Sequence, residues 1–249
     1  MLMVIKMLEK QKIKNKLNVP TSVKFFHKID STNIYLKRNL ENIKTDCLVV
    51  AKKQSNGQGR LGKSFYSYHG AYFSLLLHNI DNYDITLLTI KVGIAIHRVL
   101  KKTFNIETKI KWVNDLYYNG YKFCGILCEK IENSIIIGIG INLNNNKFPE
   151  KIKNIAISIP LDKKNYCLLI SSIINEIYLI LKENNSNVIE EYTNNLILLN
   201  KEITFSLNNV NYTGIVKGVN NQGNLIVATS KETMVLKSGE VSLTSKHII

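Results

Sequence analysis

The pattern of apolar and polar positions in the first part of the chain predicts strands and helices in alternation. Three segments have the β-branched and aromatic character of strands, the third of them after a polar loop: residues 23–30, 47–53 and the end of 64–78. Residues 31–42 follow the first strand and predict a helix with Ser31 or Thr32 as its N-cap. Residues 85–104 come after Asp84 and repeat apolar positions with the helical period, which predicts a long amphipathic helix.

The second half of the chain changes character twice. Residues 108–144 contain short apolar runs around an Asn-Gly pair at 119–120, which predicts a hairpin and further strands. Two more helices are predicted at residues 166–183 and 187–200. From residue 201 short strands alternate with turns, as in a small β-barrel. The whole pattern predicts strands and helices together in residues 1–200 and a small barrel in residues 201–249.

Length and composition agree with an ordinary globular protein. The chain has 249 residues, of which 45% are hydrophobic and 21% charged. We found no apolar run of the roughly 18 residues that cross a bilayer, and the first residues lack the features of a secretory signal, so the sequence predicts a cytoplasmic protein without a membrane segment. The four cysteines include no C-x-x-C pair and predict buried free thiols.

The formal net charge of +14 raises the question of nucleic-acid binding. Only three of the 33 basic residues are arginines, namely Arg38, Arg60 and Arg98, and the lysines are spread along the whole chain. This distribution indicates a compositional bias toward lysine more than a designed basic patch. It also makes Arg60 conspicuous, because it lies in a glycine-rich segment.

That segment, "GQGRLGKS" at residues 57–64, fits two phosphate-binding patterns, G-x-x-x-x-G-K-[ST] and G-x-G-x-x-G. Both patterns require a helix directly after the glycines, since the helix N-terminus helps to hold the phosphate. The following residues, "FYSYHGAYF", are a poor helix start. We therefore reject both phosphate-binding interpretations.

Together with four other segments, the glycine-rich loop resembles the signature of biotin protein ligases, which use ATP to join biotin to a lysine of a carrier protein. In chain order the segments are "STN" at 31–33, "QSNGQGRLGK" at 54–63, "KWVND" at 111–115, "KFCGIL" at 122–127 and "GIGIN" at 138–142. The resemblance covers roughly residues 20–245 and includes a terminal "SGEVSL" at 238–243. One such segment would be weak evidence, but five in the family's order are strong.

The resemblance implies an α+β fold for residues 1–200, with the mixed, mainly antiparallel sheet and helices of the class II synthetase-like biotin/lipoate ligases, and an SH3-like barrel for residues 201–249. It implies ATP and Mg²⁺ as cofactors, biotin as substrate, and a biotin carboxyl carrier protein, from acetyl-CoA carboxylase or a related carboxylase, as partner. Biotin would first react with ATP to give biotinyl-5'-AMP. The carrier lysine would then attack this mixed anhydride.

Residue roles carry over from the family position by position. Those implied to bind biotin are Ser31, Thr32, Asn33, Gln54, Gln58, Gly59, Arg60 and Lys122. Those implied to lie on the nucleotide side are Lys111, Trp112, Asn114, Asp115 and Asn142. The implied catalytic residues are Arg60, Lys122 and Asp115. Arg60 and Lys122 supply the fixed cations that are needed to bring a carboxylate and a triphosphate together. Asp115 could hold Mg²⁺ or orient the incoming lysine, and the metal ligands stay open.

The chain departs from the family pattern at four positions. Gln58 and Lys63 replace arginines, Val113 replaces a proline, and Phe65 replaces a tryptophan. The first two changes remove bidentate contacts to anions. Only about twenty residues precede the first predicted strand, fewer than a winged helix-turn-helix needs, so we expect a ligase without a DNA-binding domain, either monomeric or homodimeric.

Two alternatives belong to other functional classes or to a sister family. A lipoate-protein ligase or octanoyltransferase would share the catalytic fold, but the glycine-rich loop, "KWVND" and the terminal barrel fit biotin ligases better. A nucleic-acid-binding protein would use the lysines and the barrel, yet the barrel segment has only Phe205 and Tyr212 as aromatic residues. Taken singly, several site residues also have structural explanations, such as helix capping by Ser31 or core packing by Trp112.

Overall fold

The computed structural model describes residues 2–80, 83–145, 147–238 and 242–244, with the side chains of residues 7–238 within these ranges. They form five α-helices: α1 (Leu2–Lys14), α2 (Thr32–Arg38), α3 (Ile85–Phe104), α4 (Tyr166–Ile180) and α5 (Asn185–Asn194). They form twelve strands: β1 (Ser22–Ile29), β2 (Cys47–Gln54), β3 (Gly70–His78), β4 (Lys109–Lys111), β5 (Asp115–Tyr118), β6 (Tyr121–Ile131), β7 (Ser134–Asn142), β8 (Glu202–Leu207), β9 (Val210–Val219), β10 (Leu225–Thr229), β11 (Thr233–Leu236) and β12 (Ser242–Thr244).

The larger sheet has seven strands in the order β1-β2-β3-β7-β6-β5-β4. Its first pair, β1 and β2, is parallel, and α2 connects them, whereas the other neighbours are antiparallel. The mixed, mainly antiparallel sheet predicted from the sequence is confirmed. The predicted hairpin at Asn119 and Gly120 joins β5 to β6.

Alternating side chains of this sheet feed two apolar clusters on its two faces. Leu48 and Val50 of β2 belong to the large core, which contains the buried sides of α3 and α4. Their neighbour Val49 points the other way and packs with Leu36 of α2 in a smaller cluster. The sheet is thus covered by α3 and α4 on one face and only by the short α2 on the other, which leaves part of that second face open.

Local signals explain the helix limits. The Asp84 carboxylate accepts hydrogen bonds from the backbone N–H of Thr86 at 2.6 Å and of Leu87 at 3.1 Å, and α3 ends at Asn105 in the left-handed conformation with φ of 54°. The prediction for residues 85–104 is confirmed. The predicted helix 31–42 divides into α2 and a separate 3₁₀ turn at Leu40–Asn42.

One helix was not predicted, and another has different limits from those predicted. The lysine-rich start, for which no helix was predicted, forms α1 and buries Ile13 completely. The helix predicted for residues 187–200 spans Asn185–Asn194 instead. It stops because the next residues pair with the sheet edge: Ile110 donates its N–H to the carbonyl of Asn195, and Ile197 donates to the carbonyl of Ile110.

The C-terminal strands form a second, antiparallel sheet in the order β11-β10-β9-β8-β12, as predicted for a small β-unit. Its apolar side chains, including Phe205 and Val216, are continuous with the large core. Residues 239–241 of the "SGEVSL" segment and residues 245–249 lie outside the described residues. The domain boundary at residue 200 stays a prediction.

The remaining global expectations concern membranes and thiols. Among the described helices, none is long and apolar enough to cross a membrane. All four cysteines are free, with Cys47, Cys124 and Cys167 buried and Cys128 half-buried. The prediction of buried thiols is therefore confirmed for three of the four.

Candidate active site

The open part of the sheet face carries a cavity of about 570 Å³. Every residue that the sequence singled out lines this cavity: Ser31, Thr32, Asn33, Gln54, Gln58, Gly59, Arg60, Lys111, Trp112, Asn114, Asp115, Lys122 and Asn142. The fold therefore brings together five segments that are far apart in the sequence. Their individual roles stay predictions.

Glycines of β6 and β7 make room for an aromatic ring that lines the cavity. Gly125 and Gly140 face each other across these strands. A Cβ atom on Gly140 would lie 2.5 Å from the ring of Phe65, and one on Gly125 would lie 3.0 Å from it. The Phe65 ring thus lies directly on bare backbone, which only glycine permits at this approach.

One side of the cavity is built from four neutral polar residues, which we call the recognition wall: Ser31, Thr32, Asn33 and Gln54. Ser31 caps α2 by accepting from the N–H of Ile34 at 3.4 Å, so the structural explanation for this residue holds as well. Gln54 Oε1 accepts from both the backbone N–H of Thr32 at 2.8 Å and its hydroxyl at 3.1 Å. The end of β2 and the start of α2 are thereby tied together.

A buried serine stands behind the recognition wall. The Ser74 hydroxyl on β3 is fully buried and lies 2.6 Å from Thr32 Oγ1 and 2.5 Å from Asn33 Oδ1. On the other side of Gln54, its Nε2 donates to Ser67 Oγ at 3.0 Å. Because each member of the wall is held by another protein group, the wall is preorganised.

A second group of lining residues is charged, and we call it the charged end: Arg60, Lys111, Asp115 and Lys122. Lys63 of the glycine-rich loop is a further charged residue of the lining. Lys122 Nζ and an Asp115 carboxylate oxygen form an ion pair at 2.6 Å. Burial lowers the pKa of Lys111; the nearby Asp115 carboxylate partly offsets this shift and the Lys122 ammonium adds to it. Three cations around one carboxylate leave an excess of positive charge, which suits an anionic ligand.

Arg60 reaches the charged end from a loop. It begins a 3₁₀ turn in which Leu61 has φ of 54° and Gly62 φ of 71°. Its guanidinium donates to Asn114 Oδ1 at 3.2 Å and to the hydroxyl of Ser238 in the C-terminal unit. Within the described residues the loop runs on to β3 without a helix, which agrees with the rejection of a P-loop.

The two ends are a short distance apart along the same strands. Asn33 lies against Gly138, since a Cβ there would be 2.2 Å from Asn33 Oδ1. Lys122 lies beside Gly125, the partner of Gly140, with Nζ 3.5 Å from a Cβ placed on Gly125. Two residues of a strand measure about 7 Å, so a short alkyl chain would connect a group at the wall with a group at the charged end.

Several predicted site residues use polar side-chain atoms for hydrogen bonds within the protein. The Trp112 indole N–H donates to the Gly223 carbonyl at 2.9 Å, which links the two sheets. Asn142 Nδ2 donates to the Ile157 carbonyl at 3.3 Å, and Gln58 Nε2 donates to Asn56. These contacts leave the ring of Trp112 and the amide oxygens of Asn142 and Gln58 as their surfaces for a ligand.

Several lining residues escaped the sequence analysis: Phe65 as a site residue, Tyr66, Ile152, Ile155, Ala156 and Ser238. Phe65 and Tyr66 directly follow the glycine-rich loop, so their position was a usable signal. Ile152, Ile155 and Ala156 belong to an irregular segment after β7, where no local pattern marks a site. Ser238 is separated from Arg60 by 178 residues, and its contact arises only from the packing of the two units.

No cluster of three or more His, Cys, Asp or Glu side chains arranged for a metal was found in the part of the chain that the structure describes. Asp115 is the carboxylate among the lining residues, and it is paired with Lys122. The residues present therefore do not form a cage of protein ligands. They fit a cation that keeps water and phosphate oxygens as most of its ligands.

Comparison with known families matches two sequence models. Residues 25–146 match the biotin/lipoate A/B protein ligase family, and residues 198–244 match the biotin protein ligase C-terminal domain. The first match contains all the predicted site residues. The second contains the C-terminal unit from just before β8 to the end of β12.

Individual proteins agree with this assignment. The bifunctional ligase/repressor BirA of Bacillus subtilis is 39% identical over 122 residues, which is 45% of this chain and 38% of that protein. Its counterpart from Escherichia coli is 27% identical over 232 residues, 87% of this chain and 72% of that protein. A solved structure of the Aquifex aeolicus biotin protein ligase with biotin and ATP superposes with a TM-score of 0.79 at 27% identity, covering 90% of this chain and 98% of the other. Residues 25–146 of this chain therefore belong to the biotin/lipoate A/B protein ligase family, and residues 198–244 belong to the C-terminal domain of biotin protein ligases.

Proposed function

We propose that this protein is an ATP-dependent biotin protein ligase. It activates biotin as biotinyl-5'-AMP and transfers the biotinyl group to a lysine of a biotin carboxyl carrier protein. The observation that carries this proposal is the division of one cavity into a neutral recognition wall and a charged end. Biotin has the same division, with a polar ureido ring at one end of a short alkyl chain and a carboxylate at the other.

The recognition wall supplies the polar contacts that a buried ureido ring requires. Transfer of N–H and C=O groups from water into a cavity is costly unless each finds a partner. Ser31, Thr32 and Asn33 are each less than 5% exposed, and their side chains are fixed by other protein groups. Because these side chains are already fixed, the protein would lose little conformational freedom when it binds a ring that matches their donors and acceptors.

The charged end supplies what adenylation requires. In the first step a carboxylate oxygen of biotin attacks the α-phosphorus of ATP, an oxygen–phosphorus bond forms, and pyrophosphate leaves. Arg60 and Lys122 are positioned to hold the two anions together and to stabilise charge on the α-phosphate. Lys111 adds a third cation in a partly desolvated position, where its field is stronger than in water.

In the second step the amine of the carrier lysine attacks the acyl carbon, a C–N bond forms, and AMP leaves with the bonding electrons. The amine must lose a proton. Asp115 is the carboxylate among the residues that line the cavity, and we propose that it orients the amine and accepts this proton, directly or through water. Its pairing with Lys122 places it at the charged end, where the acyl group would lie.

We propose Mg²⁺ as the companion of ATP. When bound, it supplies further positive charge against the triphosphate. The donor set fits a magnesium ion held mainly by phosphate oxygens and water, because Asp115, the carboxylate among the lining residues, is paired with Lys122. Arg60 and Lys122 remain the protein's own contributions to holding the anions.

The net charge of +14 supports a carrier with an acidic surface. Opposite charge on two proteins raises the rate of encounter without requiring a large interface. We therefore propose that the carrier domain is acidic and that its association with this protein slows as salt is added.

Transfer of lipoate or octanoate is the second candidate, because the matched family includes lipoate ligases. The match of residues 198–244 to the biotin protein ligase C-terminal domain favours biotin. The polar character of the recognition wall favours biotin as well, since a dithiolane or alkyl terminus has no N–H groups to pair with it.

The test is exchange of labelled pyrophosphate into ATP by the purified protein with Mg²⁺. Biotin, lipoate and octanoate are compared as acids. We expect exchange that depends on biotin. Exchange with lipoate or octanoate alone would move the protein to the sister activity, and the absence of exchange with all three acids would contradict an adenylating function.

A further inference from the structure

Behind the recognition wall, outside the cavity lining, an ion pair contacts Asn33. Glu129 of β6 accepts a hydrogen bond from Asn33 Nδ2 at 2.9 Å through one carboxylate oxygen. Through the other oxygen it pairs with Lys37 Nζ at 2.7 Å. Lys37 lies one helical turn after Asn33 on α2, and Glu129 lies on the same face of β6 as Gly125. One carboxylate thus joins α2 to the strand that forms the floor of the cavity.

The chemistry of this contact fixes the orientation of the Asn33 amide. An ionised carboxylate only accepts hydrogen bonds, so the NH₂ group of Asn33 must face Glu129. The Oδ1 atom must then point to the other side, where it lies over Gly138 and 2.5 Å from Ser74 Oγ. The charge of Glu129 therefore decides which atom of the Asn33 amide is the nitrogen and which is the oxygen.

The second amide of the wall is fixed in a corresponding way. A backbone N–H only donates, so Gln54 must turn its Oε1 atom toward the N–H of Thr32. The same oxygen also takes the hydroxyl proton of Thr32. With its own proton committed there, Thr32 can only accept at Ser74.

Ser74 is then left with one proton between two acceptors, Thr32 Oγ1 and Asn33 Oδ1. Whichever oxygen receives it, the other keeps an unused lone pair in a buried position. The network is therefore one donor short. Asn33 and Thr32 line the cavity, so an N–H group of a ligand is able to donate the missing hydrogen bond.

We infer that Glu129 is a positioning residue that determines the choice of acid: it turns the acceptor oxygen of Asn33 toward the ligand and so selects a ring with N–H donors, such as a cyclic urea, over a dithiolane or an alkyl chain. The inference rests on the proposed function, which names biotin as the acid. Glu129 acts through Asn33 and does not contact the reacting carboxylate. Its effect should therefore fall on binding of the ring and not on the chemical step.

The first test is Glu129→Gln, which keeps the size of the side chain but lets it accept or donate. The KM for biotin in pyrophosphate exchange should rise about tenfold, the effect of one misdirected hydrogen bond, while kcat and the KM for ATP change less than about twofold. Affinity for octanoate, measured by competition, should not change, because octanoate has no N–H. The matched control is Glu132→Gln, an exposed acid three residues further on, which should leave all these constants unchanged.

A purely structural role is separated by Lys37→Met. This change breaks the ion pair but leaves the carboxylate on Asn33. If Glu129 orients the amide, Lys37→Met should raise the KM for biotin by no more than about threefold. An equal rise in Lys37→Met and Glu129→Gln would show that the contact merely ties α2 to β6, and would overturn the inference.

Two further variants test the inference if Glu129→Gln folds poorly, as judged from its thermal unfolding. Asn33→Asp alone places two carboxylates in contact and should impair biotin binding strongly. The double variant Asn33→Asp/Glu129→Gln reverses the two groups: the amide introduced on β6 donates to the carboxylate introduced on α2, which still offers an oxygen to the ligand. We expect the KM of the double variant to lie below that of Asn33→Asp, and no recovery would overturn the inference.

The wild-type assay distinguishes this inference from the proposed function. Absence of biotin-dependent exchange in the unaltered protein would count against the proposed function itself. Normal exchange with an unchanged KM for biotin in Glu129→Gln would leave the ligase activity intact and refute only the role of Glu129.

Discussion

The recognition wall and the charged end belong to the same cavity but are built in different ways. Ser31, Thr32 and Asn33 are buried at the start of α2, where Gln54 and Ser74 of the neighbouring strands hold Thr32 and Asn33. Arg60 comes from an irregular loop beside Leu61, which is 79% exposed. The wall is thus fixed by the core of the sheet, whereas part of the charged end depends on a loop.

This difference separates choosing an acid from reacting with it. A wall that is already hydrogen-bonded discriminates between ligands because a mismatched ring leaves buried groups without partners. The charged end needs to admit ATP, retain an adenylate and then admit a lysine, so a cation on a loop that can be displaced is suitable. Variants of the recognition wall should therefore affect mainly the binding of biotin, and variants of the charged end mainly the rate of adenylation. Equal effects on both constants would contradict this separation.

The largest effect is expected from Lys122→Met at the charged end. Removing this cation takes away stabilisation of the charge that develops during adenylation and leaves Asp115 without its ion-pair partner. We expect the rate of pyrophosphate exchange to fall by about 10²- to 10³-fold. Biotin affinity measured by calorimetry should fall less, by about tenfold, because the biotin carboxylate loses one of its two cationic partners. Lys28→Met, at an exposed lysine of β1, is the control and should not alter the rate. A loss of biotin affinity as large as the loss of rate would break the separation of the two ends.

The next effect is expected from Gly138→Ala beneath the recognition wall. The added Cβ would lie 2.2 Å from Asn33 Oδ1, so the amide must move and lose its contacts. We expect the KM for biotin to rise by about 10²-fold, equivalent to about 2–3 kcal/mol, while the KM for ATP stays nearly constant. Gly93→Ala in α3 is the matched control, because its Cβ would meet its nearest neighbour at 3.8 Å. A larger change in the KM for ATP than in that for biotin would assign Gly138 to the wrong end.

The sequence was informative about the wall because its members are close together in the chain or in recognisable segments. Residues 31–33 are consecutive, and the long helix α3 follows from its period and from the Asp84 cap. Strand types followed from β-branched runs, and the hairpin followed from its Asn-Gly turn. These signals are local, so a single sequence contains them.

What the sequence did not predict depends on contacts between distant segments. The apolar run after α5 has a helical pattern, yet its backbone forms hydrogen bonds with Ile110 at the edge strand β4. Glu129 and Ser74 look like ordinary strand residues, and only the packing of α2 on the sheet joins them to Asn33. Ser238 reaches Arg60 only after the second sheet has packed against the first.

A smaller effect at the charged end is expected from Ser238→Ala. The Ser238 hydroxyl and Asn114 hold the Arg60 guanidinium from two sides, so loss of one partner should loosen Arg60 without removing its charge. We expect release of free adenylate to increase about threefold, compared with tenfold or more in Arg60→Gly, which removes the charge itself. The measurement is the rate at which labelled adenylate leaves the protein, followed in parallel by labelling of bystander lysines.

The control for this variant is Ser206→Ala, a serine of the same unit that lies on β8. It should release adenylate at the normal rate. The conservative variant Ser238→Thr retains a hydroxyl and should keep most of the retention. If Ser238→Ala changed the KM for biotin instead of the release rate, the contact would support the wall and not the charged end.

The smallest effect is a difference in pH dependence between the two ends. Burial lowers the pKa of Lys111 below its ordinary 10.5, so its positive charge is present at low pH and is lost as the pH rises through the lowered pKa. The adenylation rate should therefore decline on the alkaline side by a factor of a few, at a lower pH than for an unperturbed lysine. The recognition wall consists of neutral groups, so biotin affinity should stay constant over the same range.

The test is Lys111→Arg, whose side chain keeps its charge to much higher pH. This variant should move the alkaline decline of pyrophosphate exchange to higher pH. An alkaline decline that persists unchanged in Lys111→Arg would assign it to another group and remove Lys111 from the set of cations on which adenylation depends.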